Sequence, residues 1–223
     1  ASGFVVPLHY QEDMQLYGIS AATGEGETAY SAELSYVKGL EVQRNVPEML
    51  EGALNSQNEG IYATRMQALA PGETLKGFQV DRTTLLLGAN MDVSRDIALN
   101  EASLIIEASG QWVNLPGTDE ERIGRNSNWG SARAPDGTCD SRTEYAGGCK
   151  VDGFATDFTW GYRALFTFSR PLPGWGLEFQ PRFALTHDVE GHAVDGTQVE
   201  GRQVFGATLR TIFQRRLFLV LRD

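Results

Sequence analysis

The 223 residues contain no apolar run of the ~20 successive residues that a membrane-spanning helix needs. A helical anchor within them is therefore excluded. Cysteine is scarce, at Cys139 and Cys149, and so is histidine, at His9, His187 and His192. No histidine or further cysteine lies near the cysteine pair, so the ligands of a zinc centre are not assembled there. Basic charge is also short. Lys and Arg total 19 against 29 Asp and Glu, a net charge of -10, which argues against nucleic acid or an anionic membrane surface as partner. No GxSxG elbow is present, and His187-Asp188 is the only adjacent His–acid pair. The start, ASGFVVPLHY, lacks the basic and apolar regions of a leader. The expectation is a processed chain or part of a longer one.

What is present is alternation. In DFTWGYRALFTFSRPLPGWGLEFQPRFALTHD, residues 157–188, Phe158, Trp160, Tyr162, Ala164, Phe166 and Phe168 fall on one side of a period of two. Thr159, Gly161, Arg163, Leu165, Thr167 and Ser169 fall on the other. That period is a β-strand with different media on its faces. After Arg170-Pro171-Leu172-Pro173-Gly174 it resumes, with Trp175, Leu177, Phe179, Pro181, Phe183 and Leu185 opposite Glu178, Gln180, Arg182, Thr186 and Asp188. The stretch predicts a long antiparallel hairpin.

The same pattern recurs. A mixed strand is predicted over 13–22, with a tight turn at Thr23-Gly24-Glu25-Gly26. Clean alternation follows over 28–37, where Tyr30, Ala32, Leu34 and Tyr36 oppose Ser31, Glu33 and Ser35. Residues 38–74 break the pattern and read as an irregular insertion, with a short helix in VPEMLEGALNSQ. Strands are predicted over 78–93, 97–113 and 202–213, and one begins at Leu217. Residues 114–156 form a long loop in which Cys139 and Cys149, in polar sequence, predict a disulfide of an oxidising compartment. A second loop covers 189–201. Short turns after the first, third and fifth strands thus alternate with long segments after the second, fourth and sixth.

Two architectures produce such strands. In a soluble sandwich the apolar face packs on a second sheet. In an outer-membrane barrel it meets lipid and the polar face lines a wet lumen. The predicted strands reach the ~9–11 residues that a tilted membrane strand requires. The sorting of short turns from long loops is the periplasmic–extracellular rhythm of a barrel. The expected fold class is therefore all-β: an antiparallel transmembrane β-barrel, or a large portion of one, forming a single unit over residues 1–223. In that frame Glu33, Arg82, Glu101, Glu107, Arg163, Glu178, Arg182, Arg202 and Arg210 face the lumen, where they pair across strands or line an aqueous path. Tyr30, Tyr36, Trp112, Trp160, Phe168 and Trp175 are the candidates for lipid-facing girdles.

HYQEDMQLYGIS, AYSAELSYVKG and PGWGLEFQPRFALTHDVEGHAVDGTQVEGR carry a resemblance that spans most of the chain. They resemble a proteobacterial family of outer-membrane proteins labelled as a domain of unknown function, often encoded near exporters of the resistance-nodulation-division class. Its most specific part is His187-Asp188-Val189-Glu190-Gly191 through Val199-Glu200-Gly201-Arg202. The resemblance implies an outer-membrane location, a longer parent chain, a periplasmic or outer-membrane partner protein, and movement of hydrophobic small molecules or lipids. It supplies no catalytic residue, and neither cofactor nor enzymatic activity is expected. Asp188, Glu190, His192 and Asp195 are oxygen-rich, but their spacing matches no cation loop, and they are read as a solvated acidic loop. The alternative functions are a surface or scaffold protein with a sealed lumen, and a secreted soluble β-sandwich that binds glycans.

Overall fold

The computed structural model describes residues 12–44, 49, 68–95, 101–116, 123, 154–213 and 217–222. Eight strands follow in chain order: β1 (Gln15–Glu25), β2 (Thr28–Val42), β3 (Phe78–Asp92), β4 (Glu101–Val113), β5 (Phe158–Leu172), β6 (Leu177–Glu190), β7 (Gln203–Phe213) and β8 (Leu217–Arg222). They form one antiparallel sheet in that same order. Five of them, β2 to β6, have 13 to 15 residues, against a usual ~5–6. Among the described residues no pairing joins β1 to β8, so the sheet is open.

Local chemistry sets the turns. Gly26, at φ 60, closes the β1–β2 hairpin in a left-handed conformation that costs glycine little. At the β5–β6 end, Pro173 opens a 3-10 turn over Pro173–Trp175, and Gly176 ends it in the left-handed region. Trp175 therefore lies in the turn, 75 % exposed, and not on the strand face where alternation alone places it. β2 also continues past the expected break, reaching Val42 through a register shift between Val37 and Leu40. Gly39 occupies that bulge at φ 71, and its N–H donates to Asp81 Oδ1 at 2.9 Å. A bulge slips the period of two by one residue, which explains why alternation fades at residue 38 while the strand goes on. Pro47, Leu50 and Leu54 of the expected helix lie outside the described residues, as do Cys139 and Cys149.

Register carries the two faces across the whole sheet. Ser31, Gly88, Glu107, Arg163 and Thr186 are successive cross-strand partners on one face. Tyr30, Ala89, Ile106, Ala164, Leu185 and Phe205 are partners on the other. The second face is exposed among the described residues: Ile19 is 70 % exposed and Phe205 69 %, and Tyr17, Tyr30, Leu34, Leu87, Ile106, Trp112 and Phe183 are exposed with them. Among the described residues no second sheet covers it.

The sheet curls around its polar face. One hollow of about 1190 Å³ is lined from Gly24 on β1 to Thr208 and Arg210 on β7, and includes Asn90, Ser103, Thr167 and Arg182 between them. Strands lie ~4.8 Å apart, so a flat sheet does not bring the first and seventh to one hollow. The segment after β6 also reaches back to β3, where Arg82 Nη1 donates to Asp195 Oδ2 at 2.8 Å. The concave face is thus the polar one, and the convex face is the apolar one.

Candidate functional site

The site is the concave face. All nine predicted lumen positions belong to it by register or sit at its rim: Glu33 on β2, Arg82 on β3, Glu101 and Glu107 on β4, Arg163 on β5, Glu178 and Arg182 on β6, Arg210 on β7, and Arg202 just before β7. Several pair across strands. The Arg163 Nε donates to Glu107, its direct neighbour in the register. Glu178 accepts from the Ser169 hydroxyl and the Gln180 amide, each at 2.7 Å. Ser103 and Thr167 share a hydroxyl–hydroxyl bond of 2.8 Å.

The two ends of this face differ. At the short-turn end lies the open hollow, bordered by Asp92, Glu101, Ser169, Gln180, Arg182 and Arg210. At the long-connection end, residues 191–202 fold inward as a small hairpin. His192 and Val199 form a bridge, and the Ala193 N–H donates to the Gln198 carbonyl at 3.0 Å. The tip reaches across the face: Thr159 donates to Gln198 Oε1, Gln198 Nε2 donates to Ser109 Oγ at 3.1 Å, and Asp195 accepts from Arg82. Val194 packs with Val42, Val80, Val113 and Ile123 in a small buried cluster. Three strand ends thus supply valine at one end of the concave face.

Asp188, expected in a solvated acidic loop, is instead 4 % exposed. Its Oδ2 accepts from Arg202 Nε at 2.6 Å and from the Val199 N–H at 3.0 Å. A buried carboxylate needs such partners, because desolvation opposes its charge. The Asp188 N–H donates to the Arg202 carbonyl and the Gly201 N–H to the Asp188 carbonyl, both at 2.9 Å. Glu200 Oε2 accepts from the Gly191 N–H at 2.9 Å. The residues of the most specific sequence motif therefore tie the base of the hairpin. Gly191 is required there: it sits at φ 80, and a Cβ would lie 2.2 Å from the Phe158 carbonyl oxygen.

Burial pushes the Asp195 carboxyl up, but hydrogen bonds from the Thr197 hydroxyl and amide, and then Arg82, outweigh it and hold it below its ordinary value of 3.8. His187 is on the convex face, against Tyr162, while its neighbour Asp188 is on the concave one. The adjacent pair is split between faces, so it forms no His–carboxylate dyad. Among the described residues no three His, Cys, Asp or Glu side chains gather in a metal-binding group.

On the convex face the Trp112 and Phe158 rings are tilted with centroids 5.1 Å apart, Trp160 lies 6.5 Å from Tyr162, and Tyr17 stacks 6.4 Å from Tyr36. Tyr17, Tyr36, Trp112 and Phe158 occupy one register row across β1, β2, β4 and β5, with Thr83 between. Tyr36, Trp112 and Trp160 thus gather toward the long-connection end, while Phe168 lies toward the other end and Tyr30 between. The inward hairpin was missed by reading alternation. Its signals were the apolar Ala193-Val194 inside an acidic loop and the glycines at its two ends, Gly191 and Gly201.

No curated protein and no solved structure matches the chain. One family model does, over residues 3–222, and its description is Protein of unknown function (DUF1302). A match over nearly every residue shows the family, and the chain belongs to it.

Proposed function

We propose that the protein is a β-barrel of the bacterial outer membrane, or a large portion of one, and acts there as a channel or transport protein. The observation that carries this reading is the sense of the curvature. The sheet is concave toward Glu107, Arg163 and Thr167 and convex toward Ile19, Ile106 and Phe205. A water-soluble sheet curls around its apolar face, because burial there supplies the main driving force of folding. Curvature the other way fits lipid outside and water inside. The strand lengths and the row of aromatic side chains support the same reading.

The chemistry of the wall bears on the cargo. Resemblance alone suggests hydrophobic small molecules or lipids, with a periplasmic or outer-membrane partner delivering or receiving them. The hollow is lined by Asn90, Asp92, Glu101, Ser169, Gln180 and Arg182, which solvate water and polar solutes better than hydrocarbon, together with the apolar Ala29, Ala102, Phe168 and Pro181. The charged and amide groups among them support a water-filled path.

A sealed-lumen scaffold is the second reading, and the inward hairpin favours it, since it occupies the long-connection end of the concave face. Planar-bilayer recording of the purified full-length protein separates the two. Stepwise conductance is the result expected for a channel, and a silent, correctly folded protein supports the scaffold. Recovery in the soluble fraction without detergent contradicts both.

A further inference from the structure

The hairpin at residues 191–202 is built as a unit, with its base and its tip held by different partners. Its two ends are Gly191 at φ 80 and Gly201 at φ 75. Between them a turn closes through the Gly196 N–H and the Ala193 carbonyl at 3.0 Å, and the Asp195 Oδ1 accepts from the Thr197 hydroxyl at 2.6 Å. The base is held by Arg202 on Asp188 and by His192, whose N–H donates to Thr156 Oγ1 at 2.9 Å and whose carbonyl accepts from the Thr156 N–H at 3.0 Å. The tip is held by strands distant in sequence: Arg82 on β3, Ser109 on β4 and Thr159 on β5. Releasing the tip leaves the base intact.

The closed arrangement is incompletely satisfied. Arg82 Nε and Gln111 Oε1 are buried without a hydrogen-bond partner among the described residues, although the opposite side of the Arg82 guanidinium holds Asp195. Buried polar groups left unpaired weigh against a state. Val194 weighs the other way, because it fills the apolar cluster of Val42, Val80, Val113 and Ile123. The two opposed terms meet at the hairpin tip, Arg82 through Asp195 and Val194 through its cluster.

We propose that residues 191–202 form an inward-folded gate at the long-connection end of the concave face, latched by the Arg82–Asp195 pair. The word gate rests on the channel reading, whereas the latch itself does not. The tip beyond the His192–Val199 bridge lifts, Val194 leaves its cluster, and the part of the concave face under the tip is uncovered.

The test places a reporter at the tip. Val194→Cys is made in the full-length protein with Cys139→Ser and Cys149→Ser, and labelled in detergent with a maleimide. Hydrogen exchange at the Ala193 amide, in protein with native Val194, reads the same opening without the added thiol. Asp195→Asn and Arg82→Gln break the latch from either side. Arg95→Gln removes the Arg95–Glu27 pair at the short-turn end and serves as the control. Labelling and exchange about tenfold faster in both latch variants, and unchanged in the control, is the expected result for a local opening. Equal rates in all four proteins overturn the latch. Conductance on the same samples separates the two ideas. Absence of current from every variant overturns the channel reading while the labelling rates still decide the latch.

Discussion

The two faces of this sheet share every backbone atom and differ only in which side chains project. On the convex face Ile106 and Phe205 are open to the surroundings. One residue along, on the concave face, Glu107 meets Arg163 across the strands. The comparison shows that alternation and curvature are separate facts. Alternation says that two media exist, and curvature says which of them is enclosed. Here the concave face is the polar one.

The sharpest way to break that comparison is to move one residue along a strand. Leu104 and Ser103 are neighbours on β4, the first facing Met91 and Phe166 on the convex face, the second bonded to Thr167 on the concave face. Leu104→Arg should lower folding stability in lipid vesicles by ~2–4 kcal/mol, the cost of a cation near the bilayer midplane. Ser103→Arg should change it far less, because Asp92 is its register partner and the hollow admits water. Refolding titrations in urea measure both, and Phe166→Arg against Thr167→Arg repeats the contrast on β5. Equal losses from the two faces contradict the assignment.

Smaller effects sharpen the contrast between the two ends of the concave face. Gly191→Ala forces a β-carbon into the Phe158 carbonyl at a positive φ, with strain of about 1–3 kcal/mol from the backbone conformation alone. The hairpin, rather than the sheet, should respond: hydrogen exchange over residues 191–202 should rise while β3 and β4 stay protected. Uniform loss of protection would tie the hairpin to the stability of the whole sheet.

Acid should act on the same end with a smaller effect. The Asp195 carboxyl is held below its ordinary value of 3.8 in the folded chain, so its contribution is complete above that value and is lost as pH falls through the lower folded value. Exchange at Ala193 to Gln198 should be flat from neutral pH down to the ordinary carboxylate range, after correction for intrinsic rates, and should rise below it. Asp195→Asn should remove that step. A step of unchanged size in the variant would assign it to another carboxylate.

Much of the sheet was legible because its determinants are local. Period two marks Phe158, Trp160 and Tyr162 whatever they pack against, and Gly26 and Pro173 declare their turns. The bulge at Gly39 was not legible as such, since a one-residue slip looks like the end of a strand. The opposite limit is the hairpin at 191–202. Asp188 reads as a solvated acid because its burial depends on Arg202 and on a fold-back that no local rule states. The role of Arg82 was half legible: its face followed from alternation, while its partner Asp195 lies 113 residues away.

The central claim is that Ile106 faces lipid and Glu107 faces water. Spin labels at Ile106→Cys and Glu107→Cys, in full-length protein with Cys139 and Cys149 replaced by serine and reconstituted in vesicles, test it directly. Collisions with oxygen, which partitions into lipid, should dominate at position 106, and collisions with a water-soluble nickel chelate should dominate at position 107. Labels that favour the nickel chelate at both positions would contradict a membrane-facing convex surface.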